Sequence, residues 1–166
     1  GIKWVVEAIN QVIPVAKQHG VILGMENHYK DSQWSNPEFA MQMDIFLEIV
    51  NSITDRESFG VQFDPSNSIV AGEDPIVLLA KIKDRVVSMH ASDRYIKDGD
   101  GSWEDVQSSH DRLGYASNIY HGVVGKGLND YDRIFSILSE AGFKGWISIE
   151  DGLNGLEEIR ESCVFL

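Results

Sequence analysis

The sequence predicts an α/β chain built on a parallel sheet. Two observations carry this: helical and strand-like segments alternate strictly, and each strand-like run is nearly all apolar. Alternation implies parallel strands joined by right-handed crossovers. Continuous apolar runs are those of strands covered on both faces. An open doubly wound sheet and part of a (β/α)8 barrel both satisfy the pattern. No Gly-rich dinucleotide turn follows the first strand, which weakens the open-sheet alternative. In either architecture, chemistry belongs at the carboxyl ends of the strands.

The chain opens on a helical face of Ile2, Val5, Val6, Ile9, Val12, Ile13 and Ala16, kinked at Pro14 and stopped by Gly20. It has no initial Met and begins inside this pattern, which predicts preceding chain. "VILGMEN" is a strand ending at Glu26. A polar loop leads to a helix capped by Asn36, with Pro37 in its first turn and Phe39, Met43, Phe46, Ile49 and Val50 facing inward. "FGVQFD" is the second strand, ending at Asp64, and "EDPIVLLAKI" a helix with Asp74 before Pro75. "RVVSMH" is the third strand, ending at His90. A Gly-, Ser- and Asp-rich stretch then reads as one long active-site-side loop over 92–127. "NDYDRIFSILSEAG" is a helix with Tyr131, Ile134, Phe135 and Leu138 inward. "GWISIE" is the fourth strand, ending at Glu150, and "GLEEIRESCVFL" the last helix.

With 166 residues, 43% hydrophobic, the chain reads as one domain, 1–166, long enough to bury a core. A net charge of −12 argues against nucleic acid, whose phosphates require clustered Lys and Arg. It is compatible with a divalent cation or a neutral substrate. No segment approaches a membrane span. The single cysteine, Cys163, excludes an internal disulfide, is expected to be buried, and fits a reducing, cytoplasmic setting.

Each strand delivers one ligand-type side chain at its end: Glu26, Asp64, His90 and Glu150. Taken singly, a strand-end carboxylate is commonly a turn or helix cap, and such a histidine a hydrogen-bonded core residue. Parallel strands bring all four to one rim. There, three carboxylates repel one another unless a cation compensates them. The mixed carboxylate–imidazole set favours Mn2+, with Mg2+, Co2+ or Zn2+ as alternatives. An octahedral ion with four protein ligands keeps two positions for adjacent substrate oxygens, and it acidifies the C–H beside a carbonyl. Glu26 and Glu150, from the first and last strands, would then remove and return a proton, isomerising or epimerising a ketose-like compound.

The segments "GMENH" (24–28), "FDPSN" (63–67), "SMHASD" (88–93), "VVGKGLNDYDRIFSIL" (123–138) and "GWISIEDG" (145–152) together resemble the sugar phosphate isomerase/epimerase superfamily. This is the xylose-isomerase-like TIM-barrel group, with ketose 3-epimerases, hydroxypyruvate isomerases, inosose dehydratases and endonuclease IV. The resemblance implies the C-terminal half of a (β/α)8 barrel, strands five to eight. It also implies Glu26, Asp64, His90 and Glu150 as metal ligands, with Glu26 and Glu150 as the proton-exchanging pair. Many members carry a His where this chain has Asn67. No convincing counterpart of the additional endonuclease ligands is found, although His110, Asp111 and His121 lie in the long loop. A single metal is therefore expected, not an abasic-site nuclease.

Candidate substrate contacts are His28, two residues past Glu26, Asn67, Arg94 just past His90, and Lys126 in a "GKG" turn. In the long loop, Trp103, His110, Arg112, Tyr115 and Tyr120 suit a substrate lid, and a disordered or subunit-contact loop is the alternative. His19 reads as a helix C-terminal dipole partner. A whole barrel takes about 250 residues, so an N-terminal half-barrel or self-association is expected to cover the free strand edges. The expected activity is a metal-dependent isomerase or epimerase of a sugar, sugar phosphate or polyol ketone. A dehydratase of such a ketone and a non-catalytic carbohydrate-binding domain are the alternatives.

Overall fold

The structure, a computed structural model, describes residues 1–29, 38–97, 119–150 and 155–166. The four expected strands form one parallel sheet. β1 (Leu23–Glu26), β2 (Phe59–Phe63), β3 (Val86–Ala91) and the strand Trp146–Ile149 lie side by side in that order. Of the central pair, β2 is buried at all but Gln62, and β3 buries Met89 and Ala91 and is half-buried elsewhere. The outer pair is more open, half-buried in β1 and mostly exposed in the strand Trp146–Ile149, with Trp146 84% exposed, because each has one hydrogen-bonded neighbour among the described residues.

Helices cover the sheet. α1 (Ile2–Gln18) lays Ile2, Val5, Val6, Ile9 and Ile13 against Ile49, Ile53 and Phe59. Val12, expected on that face, lies at its edge and is exposed. α2 (Met43–Ser52) buries Phe46, Ile49 and Val50 as read from the sequence, but starts later than expected. Gln42 at its N-cap makes no side-chain cap. The Glu73 carboxylate caps from a distance instead, accepting the Met43 N–H at 2.9 and 3.0 Å, where the helix dipole favours an anion. Phe39, expected inward, precedes this start and is exposed. Asn36 and Pro37 lie outside the described residues.

A short helix absent from the sequence reading, α3 (Pro65–Val70), follows β2 directly. α4 (Pro75–Ile82) is capped by Asp74, which accepts the Ile76 N–H at 2.8 Å, and it sinks Leu78, Leu79 and Ile82 into the main core beside Phe63, Met89 and Ile134. Fully burying one such side chain contributes about 1.5–3 kcal/mol.

The stretch 92–127, read as one loop, holds an antiparallel pair at its two ends: β4 (Asp93–Ile96) and β5 (Ile119–Gly122). In chain order the strand Trp146–Ile149 is then β6. α5 (Tyr131–Glu140) is capped by Asp130 and buries Tyr131, Ile134, Ile137 and Leu138. α6 (Leu156–Phe165) sets Phe165 on Tyr131 and Phe135. Its buried position is Ser162; Cys163, one residue and about 100° further round the helix, is exposed, against expectation. Among the described residues no helix is long and apolar enough to cross a membrane.

Asp93 latches the segment after β5. Its buried carboxylate accepts the main-chain N–H of Arg94 (2.9 Å), Gly125 (3.0 Å), Gly127 (2.9 Å) and Asn129 (3.2 Å). The carboxylate thus satisfies four main-chain donors of irregular backbone at once. Gly127 is required by the close approach: a Cβ there would stand 2.3 Å from the Arg94 carbonyl oxygen and 2.4 Å from Asp93 Oδ1. Asp93→Asn turns one acceptor into a donor facing N–H groups, and Asp93→Ala removes both acceptors. Each should lower the unfolding free energy by about 2–4 kcal/mol in urea titrations; a loss under about 0.5 kcal/mol contradicts the latch.

Candidate metal centre

The parallel order brings the four strand-end side chains together. Glu26 closes β1, Asp64 follows β2, His90 is the penultimate residue of β3 and Glu150 follows β6. One ligand atom from each lies within 4.8 Å of all the others. His90 Nδ1 is the hub, 2.8 Å from Glu150 Oε2, 3.2 Å from Glu26 Oε1 and 3.8 Å from Asp64 Oδ2.

Asp64 serves two ends at once. It is the N-cap of α3, with Pro65 at the first helical position. Oδ1 accepts the N–H of Ser66 (2.8 Å) and Asn67 (3.2 Å) and the Ser92 hydroxyl (2.8 Å). Oδ2 is left facing His90. Asn27 clasps the same residue's backbone, donating to the Asp64 carbonyl at 2.7 Å and accepting its N–H at 2.9 Å. One carboxylate therefore caps α3 and also faces the four-residue cluster.

Electrostatics follow from the crowding. Burial, then the Asp64 charge, push the Glu26 carboxyl above its ordinary range, with Glu150 adding to the effect and His90 opposing it. His90 is raised to about 9: the Asp64 carboxylate is the leading cause, burial opposes it, and Glu150 and Glu26 add their attraction. At 3.8 Å the Asp64 influence is ionic, while Glu150 and Glu26 are the direct acceptors. Three carboxylates around one imidazole, one of them holding its proton unusually firmly, are a donor set that suits a divalent cation.

The remaining candidates take varied positions. Asn67 is buried and donates to Glu26 Oε1 at 3.1 Å, so its contact is with a member of the four-residue cluster. Arg94 is buried, its guanidinium 5.3 Å from the Tyr29 ring centroid, and its Nε has no hydrogen-bond partner among the described residues. His28 lies outside the four-residue cluster, with Nδ1 3.2 Å from Glu38 Oε2 and its ring stacked on Tyr29. Lys126 is exposed and paired with Glu161 on α6. Its flanking glycines do not offer their N–H groups to a ligand, because Asp93 takes both. Trp103, His110, Arg112 and Tyr115 lie outside the described residues; Tyr120, on β5, faces Tyr95 with ring centroids 5.8 Å apart.

The sequence reading passed over Asn27, Gln62, Ser88 and Ser92. Gln62 carried a usable signal, a lone polar residue inside an apolar strand. The others resemble ordinary loop and strand-end residues.

In chelator-treated protein the His90 ring protons should titrate near pH 9 in NMR spectra. Glu150→Gln should lower that value, and an ordinary value near 6.5 would contradict the geometry. The stabilisation from this pairing is complete below the ordinary histidine range and is lost as pH rises through about 9.

Comparisons with known proteins agree with this architecture. A family model described as xylose isomerase-like TIM barrel matches residues 1–166. An inosose dehydratase of Lacticaseibacillus casei is 24% identical over 131 residues, 77% of this chain and 41% of that protein. One from Clostridium beijerinckii is 24% identical over 151 residues, 89% of this chain and 46% of its own. The IOLI protein, solved with a bound zinc atom, superposes with a TM-score of 0.67 at 20% identity, covering 98% of this chain and 54% of that one. A D-tagatose 3-epimerase-like protein gives 0.66 at 18% identity, covering 96% and 51%. The chain thus spans about half the length of these relatives, and its four-stranded parallel sheet is part of a barrel. The chain belongs to the xylose isomerase-like TIM barrel family.

Proposed function

We propose that Glu26, Asp64, His90 and Glu150 hold one divalent ion, with Mn2+ favoured and Mg2+, Co2+ or Zn2+ as alternatives, in an isomerase or epimerase acting on a sugar, sugar phosphate or related polyol ketone. The reading rests on one observation above all: four donors from four neighbouring strands lie within 4.8 Å of one another. When bound, such an ion supplies a Lewis acid that polarises a substrate carbonyl and acidifies the adjacent C–H.

The chain's own residues do the rest. Glu26 and Glu150 stand at opposite ends of the strand order, so they can face a substrate from two sides. One takes the proton and the other returns it. Glu150 is the more open, with its side chain 56% exposed against 25% for Glu26. Asn67 steadies Glu26. Arg94 is the strongest substrate contact, since a buried guanidinium whose Nε has no partner among the described residues suits a hydroxyl or phosphate. His28 is a second contact, and Lys126 would first have to leave Glu161. The proposal includes an N-terminal half-barrel or a second copy against the free edges of β1 and β6.

A dehydratase is the second reading, supported by the curated relatives named inosose dehydratase. It uses the same carboxylates, one removing the proton and the other assisting departure of a hydroxyl.

The test is turnover of a panel of ketoses, ketose phosphates and inososes in D2O, followed by NMR and mass spectrometry. Epimerisation places solvent deuterium on the carbon beside the carbonyl; dehydration gives a product lighter by one water. Glu150→Gln and Glu26→Gln should each cut turnover by about 10²–10⁴-fold while leaving the urea midpoint close to that of the parent. Undiminished turnover in either variant rules out the paired-glutamate mechanism.

A further inference from the structure

Gln62 is the lone polar side chain inside β2, and it is directed at His90. Its amide nitrogen lies 3.0 Å from His90 Nε2, and its amide oxygen accepts from Ser88 Oγ at 3.1 Å. The backbone arranges this. The β2–β3 register slips by one residue between Val61 and Gln62, from Val61 opposite Val86 to Gln62 opposite Ser88. Such irregularities re-aim side chains beside sites. Gly60 permits the close strand approach there: a Cβ would stand 2.3 Å from Val87 Cγ1 and 2.7 Å from the Arg85 carbonyl oxygen.

His90 turns Nδ1 toward three carboxylates, so Nδ1 is the nitrogen available to the candidate centre. A neutral ring that gives Nδ1 to a cation carries its hydrogen on Nε2 and needs an acceptor there. As the side chains lie, Gln62 directs its NH2 at Nε2 instead. That suits the neutral ring with its hydrogen on Nδ1, donated to Glu150 and Glu26, whereas the imidazolium carries hydrogen on both nitrogens and takes the amide turned over. Turned over, the same amide offers Oε1 to Nε2–H. Its NH2 then meets Ser88 Oγ, because a hydroxyl accepts as well as donates. A leucine would serve neither tautomer, and an ionised glutamate only one.

We propose that Gln62 and Ser88 form a reversible hydrogen-bond pair that fits His90 in both tautomers, making Gln62 a positioning residue for the metal centre. The inference rests on the metal reading given under Proposed function.

The test uses the whole chain, stripped with chelator and reloaded with Zn2+. Zinc affinity is read by competition with a chromophoric chelator, and the His90 tautomer by long-range ¹H–¹⁵N NMR. In the zinc-loaded protein the ring should carry hydrogen on Nε2 and coordinate through Nδ1. Gln62→Leu should weaken zinc binding by about 10–100-fold, and Gln62→Glu, which keeps the acceptor, should stay within about threefold of the parent. Coordination through Nε2 overturns the proposal, as does a leucine variant within about threefold of the parent. The parent spectrum decides even where the leucine variant fails to fold. A parent protein that takes up no zinc overturns the metal reading and this inference with it. A parent that binds zinc indifferently to Gln62 overturns this inference alone.

Discussion

Three carboxylates and an imidazole share one rim because four parallel strands end there, and the mutual repulsion of those carboxylates is the constraint the surrounding structure answers. Neutral partners hold three of the four groups. Asn67 donates to Glu26, Ser92 and two backbone amides hold Asp64, and Gln62 holds His90. None of these donors neutralises the charge; they fix its direction. The crowding shows in Glu26, pushed up by burial and by Asp64, and in His90, raised to about 9. A site built only for stability would gain from neutral, well-packed residues here. Retained charge with fixed aim is what the proposed cation site requires.

Asp64 shows how closely fold and site are joined. Oδ1 starts α3 and Oδ2 looks into the cluster, so the carboxylate that ends β2 also begins the next helix. Asn27, immediately after Glu26, grips the Asp64 backbone and thereby ties the ends of β1 and β2 together. Further along, Asp93 gathers the amides of the segment after β5 against β4. Both devices are local hydrogen-bond solutions to bringing irregular backbone close to a charged rim.

Strand identity and strand ends were legible in the sequence because apolar runs stopping at Glu26, Asp64, His90 and Glu150 need no tertiary context to be seen. The helices with local caps were equally legible: Asp74 and Asp130 each accept a backbone N–H in the first turn of their helix. What was missed depends on contacts distant in sequence. α2 begins where Glu73, thirty residues away, caps it, so a search for a local cap placed the start too early. α3 is six residues long, too short to show a helical period. β4 and β5 sit inside a Gly- and Asp-rich stretch that masks their alternation. Cys163 read as buried from its apolar neighbours, yet helix phase turns it outward. Gln62 was visible as an anomaly in a strand, but its purpose required the register slip that only the structure reveals.

The most direct measurement of the central claim is the metal content of the purified protein, combined with anomalous diffraction from crystals grown with Mn2+. One divalent ion per chain is expected, with an anomalous peak in contact with Glu26, Asp64, His90 and Glu150. Protein that takes up no divalent ion, or a peak that avoids these four side chains, would contradict it.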